Sequence, residues 1–217
     1  MSGRKTSEGG DQAEALDKAR QTQAERRETS ERAILEAAKI IVAERGIEAL
    51  TLHAAGEAAG YSRALPGHYF GTKNALVAAL VDYILESYAI RIRKTVQQTE
   101  GLDALCDHVA FYIDDGMRDP ISLRAFLSIL SAGVGPTELA QNVAGITREA
   151  IDGIAALIKR AREAGEIRAD ARPRAEASII IASMRGVMFQ WLINPDHVSL
   201  LRVREALVAN IRRSLAP

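Results

Sequence analysis

Apolar residues recur at spacings of three and four along most of this chain, and no stretch alternates apolar and polar over a useful length. The pattern predicts an all-α fold of about nine helices. The first runs from about Ser30 to Arg45, with Ile34, Leu35, Ala38, Ile41 and Val42 on one stripe, and Gly46 stops it. Two short helices follow between Thr51 and Gly71. A fourth starts at Thr72, carries Leu76, Leu80, Tyr83, Ile84 and Tyr88 along one side, and continues to about Gln97. A helix of that length reaches from one part of the molecule into the next. The fifth runs from about Leu102 to Arg118, and Asp119-Pro120 restarts the chain as a sixth. Gly133-Val134-Gly135-Pro136 is a linker, because two glycines and a proline oppose a helix. The seventh runs from about Thr137 to Ala164, the eighth from about Arg174 to Ile193 and the ninth from about Val198 to Leu215.

The eighth helix differs in kind. Its large apolar residues cover nearly the whole circumference, so it needs cover on every side. A core within one chain and a second copy of helices eight and nine would supply that cover in a four-helix bundle. Ala182 and Gly186, one turn apart, admit a close neighbour, and Phe189, Val208 and Ile211 complete the expected dimer interface. Ser183, Arg185 and Gln190 interrupt the run, which reads as too short and too polar to span a bilayer.

The two short helices have the marks of a helix-turn-helix. Thr51 is placed to accept from free amides of a helix beginning at Leu52, Gly60 supplies the left-handed residue that ends it, and Ser62 is expected to cap the next. Helices so closely joined must cross, and the second then presents Arg63, Ala64, Leu65, Gly67 and His68 outward for a DNA major groove. The planar fork of Arg63 matches the O6 and N7 acceptors of guanine. Leu65 suits a thymine methyl or packing on the first helix, and His68 a base, a phosphate or solvent.

These residues resemble the DNA-binding motif of the TetR/AcrR family of bacterial transcriptional regulators. The likeness rests on Thr51, Ala58-Ala59-Gly60, Ser62, Tyr69-Phe70, Gly71 and Lys73, followed by an apolar helix from near Leu76. It implies that Tyr69, Lys73 and Thr51 hold phosphates of operator DNA, that the carboxy-terminal helices bind a small ligand, and that the last two helices form a homodimer. Two departures stand out. Ala55 replaces a larger aliphatic residue, and Pro66-Gly67 replaces an aliphatic or aromatic residue and a tyrosine, so the family's tyrosine contact is lost at Gly67.

Composition changes this picture little. Of 217 residues, 28 are Lys or Arg and 28 are Asp or Glu, so DNA contact must come from a local cluster rather than a global basic field. Cys106 is the only cysteine, which excludes an internal disulfide and reads as a small core residue. No apolar leader is visible in the first thirty residues, and a soluble, cytoplasmic protein without a cofactor is expected.

The expected organisation is a flexible arm over residues 1–28, a DNA-binding domain over 29–75 and a ligand-binding and dimerisation domain over 76–217. Ala13 to Arg27 is rich in helix formers and suits an extension of the first helix. Arg26 and Arg27 abut the motif and are candidate DNA contacts. A cavity lined by Tyr83, His108, Tyr112, Phe126, Met184, Met188 and Trp191, with Arg124 and Arg185 as further polar anchors, would suit an apolar or amphipathic ligand, although each apolar side chain taken singly is ordinary core. The leading reading is a homodimeric, ligand-released repressor acting on a palindromic operator, with no membrane partner. Its rivals are an all-α small-molecule-binding protein or enzyme, for which no phosphate loop, metal-ligand spacing or nucleophile–base pair is present, and an interaction module without DNA binding.

Overall fold

The computed structural model describes residues 8–96 and 99–217. Among these there are nine α-helices and no strands: α1 (Glu8–Arg45), α2 (Leu52–Ala58), α3 (Leu65–Phe70), α4 (Lys73–Thr95), α5 (Gly101–Arg118), α6 (Pro120–Ala132), α7 (Ala140–Glu163), α8 (Pro173–Ile193) and α9 (Leu200–Leu215). The all-α expectation holds, with the helix-turn-helix unit preceding a helical bundle. The largest difference is at the start. Helix α1 begins at Glu8 rather than near Ser30, because nothing between Asp11 and Arg45 breaks a helix and the segment is dominated by Ala, Glu, Gln and Arg. Residues 1–7 of the expected arm, and the expected end of the fourth helix at Gln97, lie outside the described residues.

The tight turn between α2 and α3 follows from its sequence. Thr51 Oγ1 accepts from the Ala54 amide at 3.0 Å. After α2, Gly60 takes φ 76°, and the amides of Gly60 and Tyr61 bond back to the carbonyls of Glu57 (3.1 Å) and Gly56 (2.9 Å), closing the helix end. Ser62, however, does not cap α3. Its carbonyl, not its hydroxyl, accepts from Leu65 (3.1 Å), and Ala64 precedes the helix without a side-chain cap. Pro66 is the reason. Had the helix started after Ser62, Pro66 would occupy the fourth position, where an amide is needed; starting at Leu65 puts the proline at the second, where none is. Arg63 and Ala64 therefore sit in the turn ahead of the recognition helix.

Pro66 also explains how closely the two helices cross. It is buried against Gly56, and a Cβ at Gly56 would lie 2.8 Å from the Ser62 carbonyl oxygen and 3.0 Å from the proline ring. Ala55 beside it is fully buried. Small residues on α2 thus accommodate the proline on α3.

Two cores hold the molecule. One gathers Ile34, Ala38 and Val42 of α1, Leu76 and Leu80 of α4, and Leu123, Phe126, Leu127 and Leu130 of α6, with Met188 of α8. It runs continuously across the soft boundary expected near Leu76. The other joins α5, α7, α8 and α9 through Leu105, Val109, Ile158, Ala177, Ile180, Met184, Ile211 and Leu215. Cys106 is buried in it, as expected of a small core residue.

Helix α8 buries Ala177, Ile180, Ile181, Met184 and Met188, yet leaves Ile179 62%, Phe189 51% and Ile193 69% exposed. Its 21 residues are long and apolar enough to cross a membrane by length and composition, contrary to the reading from the sequence, because one 18-residue stretch of the helix holds no more than two charges. One face belongs to the core and the other is open.

Candidate functional site

The recognition end presents a compact set of cations. Arg63 is largely exposed, and its guanidinium donates to Glu57 at 2.8 Å. Lys73 opens α4 directly after the capping Thr72 and lies 3.8 Å from Glu48. The extended α1 places Arg26 and Arg27 along a groove shared with Tyr61, Leu65, His68 and Tyr69, so both arginines flank the recognition helix. His68 and Thr51 are exposed, Gly67 is half-buried, and no atom lies near a Cβ built on Gly67, which leaves that position open to close approach.

Two expected contacts are otherwise engaged. Tyr69 is anchored to α1: Ser30 gives its proton to the Arg27 carbonyl (2.9 Å), so the Tyr69 hydroxyl is the donor in the 2.8 Å bond between them. The Arg27 guanidinium covers the ring at 5.3 Å. The tyrosine hydroxyl is thus bonded within the chain. Leu65 is half-buried and packs against the first core.

Between the two cores lies a cavity of about 500 Å³. Its wall is mostly apolar, from Ile84, Leu85, Leu123, Phe126, Ile146, Ile154, Leu157, Ile181 and Met184. Of the expected lining, His108, Tyr112, Phe126 and Met184 are there, with Arg185. Tyr83 is not: its hydroxyl donates to Glu36 on α1 (3.0 Å) and Lys39 stands 5.9 Å from its ring. Met188 is fully buried behind Gly116, and Trp191 packs against the first core. Arg124 is exposed beside a different groove, near Arg45 and Phe189. Tyr83 and Arg124 leave their helices beside lining residues but on other faces, whereas Met188 and Trp191 share the Met184 face of α8 and lie one and two turns beyond the cavity.

The sequence reading missed Tyr88, Arg91 and Asp115. Arg91 grips Asp115 with two bonds, 2.7 and 2.8 Å, tying α4 to α5 at the cavity wall. Tyr88 meets Tyr112 edge-on with ring centres 6.3 Å apart, and both hydroxyl oxygens are buried without a hydrogen-bond partner. Burial, with Tyr112 and Asp115 nearby, drives the Tyr88 phenol far above its usual range; burial lifts Tyr112 to about 12 against the pull of Arg185. Both phenols therefore keep their protons at neutral pH. Burial also lowers His108, favouring its neutral form, and lowers Arg185, which Tyr112 partly offsets. Only the stripe position of Tyr88 hinted at this; residues pairing across helices leave no spacing signal.

The open face of α8 adjoins a groove with α9 that includes Ala182, Gly186, Val203 and Leu207. Ala182 and Phe189 are exposed, Gly186 is half-buried, and a Cβ on Gly186 would meet nothing. Val208 is half-buried against the second core. Ile211 is 4% exposed within it and serves the chain's own packing.

Residues 34–80 match the family pattern of bacterial regulatory proteins of the tetR family, and residues 100–216 match that of the BetI-type transcriptional repressor C-terminal region. The chain belongs to the TetR family. As a TetR-family protein it is a transcriptional regulator with a helix-turn-helix DNA-binding unit, which is the reading its motif implied. Similar solved structures include a TetR-family transcriptional regulator from Rhodococcus sp., 24% identical over 86% of this chain and 98% of that one, with TM-score 0.77. SmeT, the repressor of the Stenotrophomonas maltophilia multidrug efflux pump SmeDEF, is 24% identical over 86% and 90%, with TM-score 0.68. FadR from Bacillus subtilis in complex with stearoyl-CoA is 14% identical over 84% and 98%, with TM-score 0.74. No curated protein matches the chain.

Proposed function

We propose that this TetR-family regulator is a homodimeric repressor, released from a palindromic operator by a small apolar or amphipathic molecule. The observation that carries the reading is the cavity between the two cores, one wall of which is α4, the helix that also enters the DNA-binding end. Helix α4 carries Lys73 at its first residue and Tyr88 and Arg91 at the cavity. Helix α6 lines the cavity with Phe126 and packs with α1 in the first core. A ligand that favours one arrangement of these helices shifts the DNA-binding equilibrium by its difference in affinity for the two states. FadR, of similar fold, was crystallised with a small molecule, which supports a ligand-responsive reading here.

In this reading Arg63, Ala64 and His68 face the groove, and Thr51, Lys73, Arg26 and Arg27 hold phosphates. Two recognition helices would sit roughly 34–36 Å apart, or a small multiple of that, on the operator. The open face of α8, with Ile179, Phe189 and Ile193, pairs with its copy. Gel shifts of the purified protein on DNA flanking its own gene, with random DNA as control, test the reading, and no preference for the flanking DNA overturns it. Light scattering tests the dimer. Gly186→Arg has room within one chain, so it is expected to yield a folded monomer; a dimer persisting in that variant moves the interface elsewhere.

A further inference from the structure

The hydrogen-bonding groups inside the cavity are unbalanced. Both carboxylate oxygens of Asp115 are taken by Arg91, and Asp119 is taken by the amide (3.0 Å) and hydroxyl (2.6 Å) of Ser122 at the start of α6. Glu149 and Arg160, of opposite charge, stand exposed at the α7 edge. Apart from the neutral His108 imidazole, which offers one donor and one acceptor, what remains inside is a surplus of donors. The hydroxyls of Tyr88 and Tyr112 are buried and unpartnered. The half-buried Arg185 guanidinium bonds only to a neutral hydroxyl, Thr147 Oγ1 at 3.2 Å, and among the described residues it has no ion-pair partner.

Buried donors without acceptors are costly, and a desolvated cation without a counter-charge more so. The phenols cannot relieve this by ionising, since burial holds their protons on at neutral pH. The missing partner must bring acceptors, preferably a negative charge, and its remainder must be apolar to match the aliphatic wall. We infer that the cavity takes an amphipathic carboxylate, its head bound by Arg185, Tyr88 and Tyr112 and its hydrocarbon body lying against the wall of Ile84, Phe126 and Met184. This deepens the ligand-released reading and rests on the cavity being its ligand site. A cation boxed by the aromatic rings is the opposite expectation; it would meet the Arg185 guanidinium inside, while the remaining carboxylate of the lining, Glu149, stands exposed at the α7 edge.

Calorimetric titration of the full chain with decanoate, decan-1-ol and decyltrimethylammonium decides the matter. Decanoate is expected to bind about tenfold or more tighter than the alcohol, as for hydrogen bonds to a charged group, and the ammonium weakest. Arg185→Gln should bring decanoate down to the level of the alcohol, Arg185→Lys should keep part of the preference, and Tyr112→Phe should weaken decanoate several-fold, all with thermal unfolding like that of the parent. Equal or tighter binding of the ammonium, an unchanged decanoate-to-alcohol ratio in Arg185→Gln, or no binding of any probe overturns the inference. The titration contains no DNA, so decanoate binding without operator release counts against ligand control and leaves the head-group assignment standing. Operator release by a neutral or cationic compound, with no decanoate binding, does the reverse.

Discussion

The two ends of this molecule treat their polar side chains in opposite ways. At the recognition end they are matched within the chain: Tyr69 with Ser30, Arg63 with Glu57, Lys73 with Glu48. At the cavity, two phenols and a guanidinium lack acceptors of equal strength. A surface that must present a fixed geometry to DNA gains from being held together before DNA arrives. A pocket that must report on a ligand gains from leaving part of its bonding to that ligand, because the difference between empty and filled states is then large.

Substitutions at the recognition end test its internal fit, starting with the largest effect. Gly56→Ala pushes a methyl group into the Ser62 carbonyl and the Pro66 ring, and is expected to cost about 3 kcal/mol of stability and to abolish operator-specific binding. Denaturant unfolding and gel shifts check it; an unchanged midpoint would show that α2 and α3 can separate freely. Arg63→Ala should lose about 2 kcal/mol on the operator and relax preference at one base pair per half-site. Equal loss on random DNA would make Arg63 a phosphate contact. Tyr69→Phe removes a bond within the chain and should lower stability by about 1 kcal/mol while leaving the salt dependence of DNA binding unaltered. A shallower salt slope would return Tyr69 to the phosphate contacts.

The smallest effect lies at the cavity. His108 is held neutral by burial, its folded value below the ordinary 6.5. The unfolded chain therefore takes up a proton first as pH falls through 6.5, and stability declines from there toward the folded value. His108→Asn should flatten that decline in unfolding curves measured across this range; an identical decline would place the proton uptake elsewhere.

What was legible in the sequence divides along the same line. Local signals worked: Thr51 and Gly60 bound α2 as read, and the apolar stripe of α1, with Leu76, Leu80 and Ile84 of α4, became core. Ser62 misled because a hydroxyl beside a predicted helix looks like a cap, whereas the proline four residues later controls where the helix can begin. The cavity was legible only as a neighbourhood. Its members come from five helices, and the direction of a side chain such as Tyr83, toward α1 rather than inward, depends on how the helices are rotated, which no stripe fixes to better than a face. The first core reaching from α1 to α6 was missed for the same reason: the sequence shows which face is apolar, not which helix covers it.

The contact between Gly56 and Pro66 also constrains the order in which this surface can change. A methyl group at position 56 would press on the Ser62 carbonyl as well as on the proline ring, so replacing the glycine is costly whether or not residue 66 is proline. Replacing Pro66 frees the space of its ring but not that of the Ser62 carbonyl, which approaches position 56 just as closely. Variation at the recognition helix can therefore begin at Pro66, while position 56 stays glycine until the backbone of the turn itself is rebuilt.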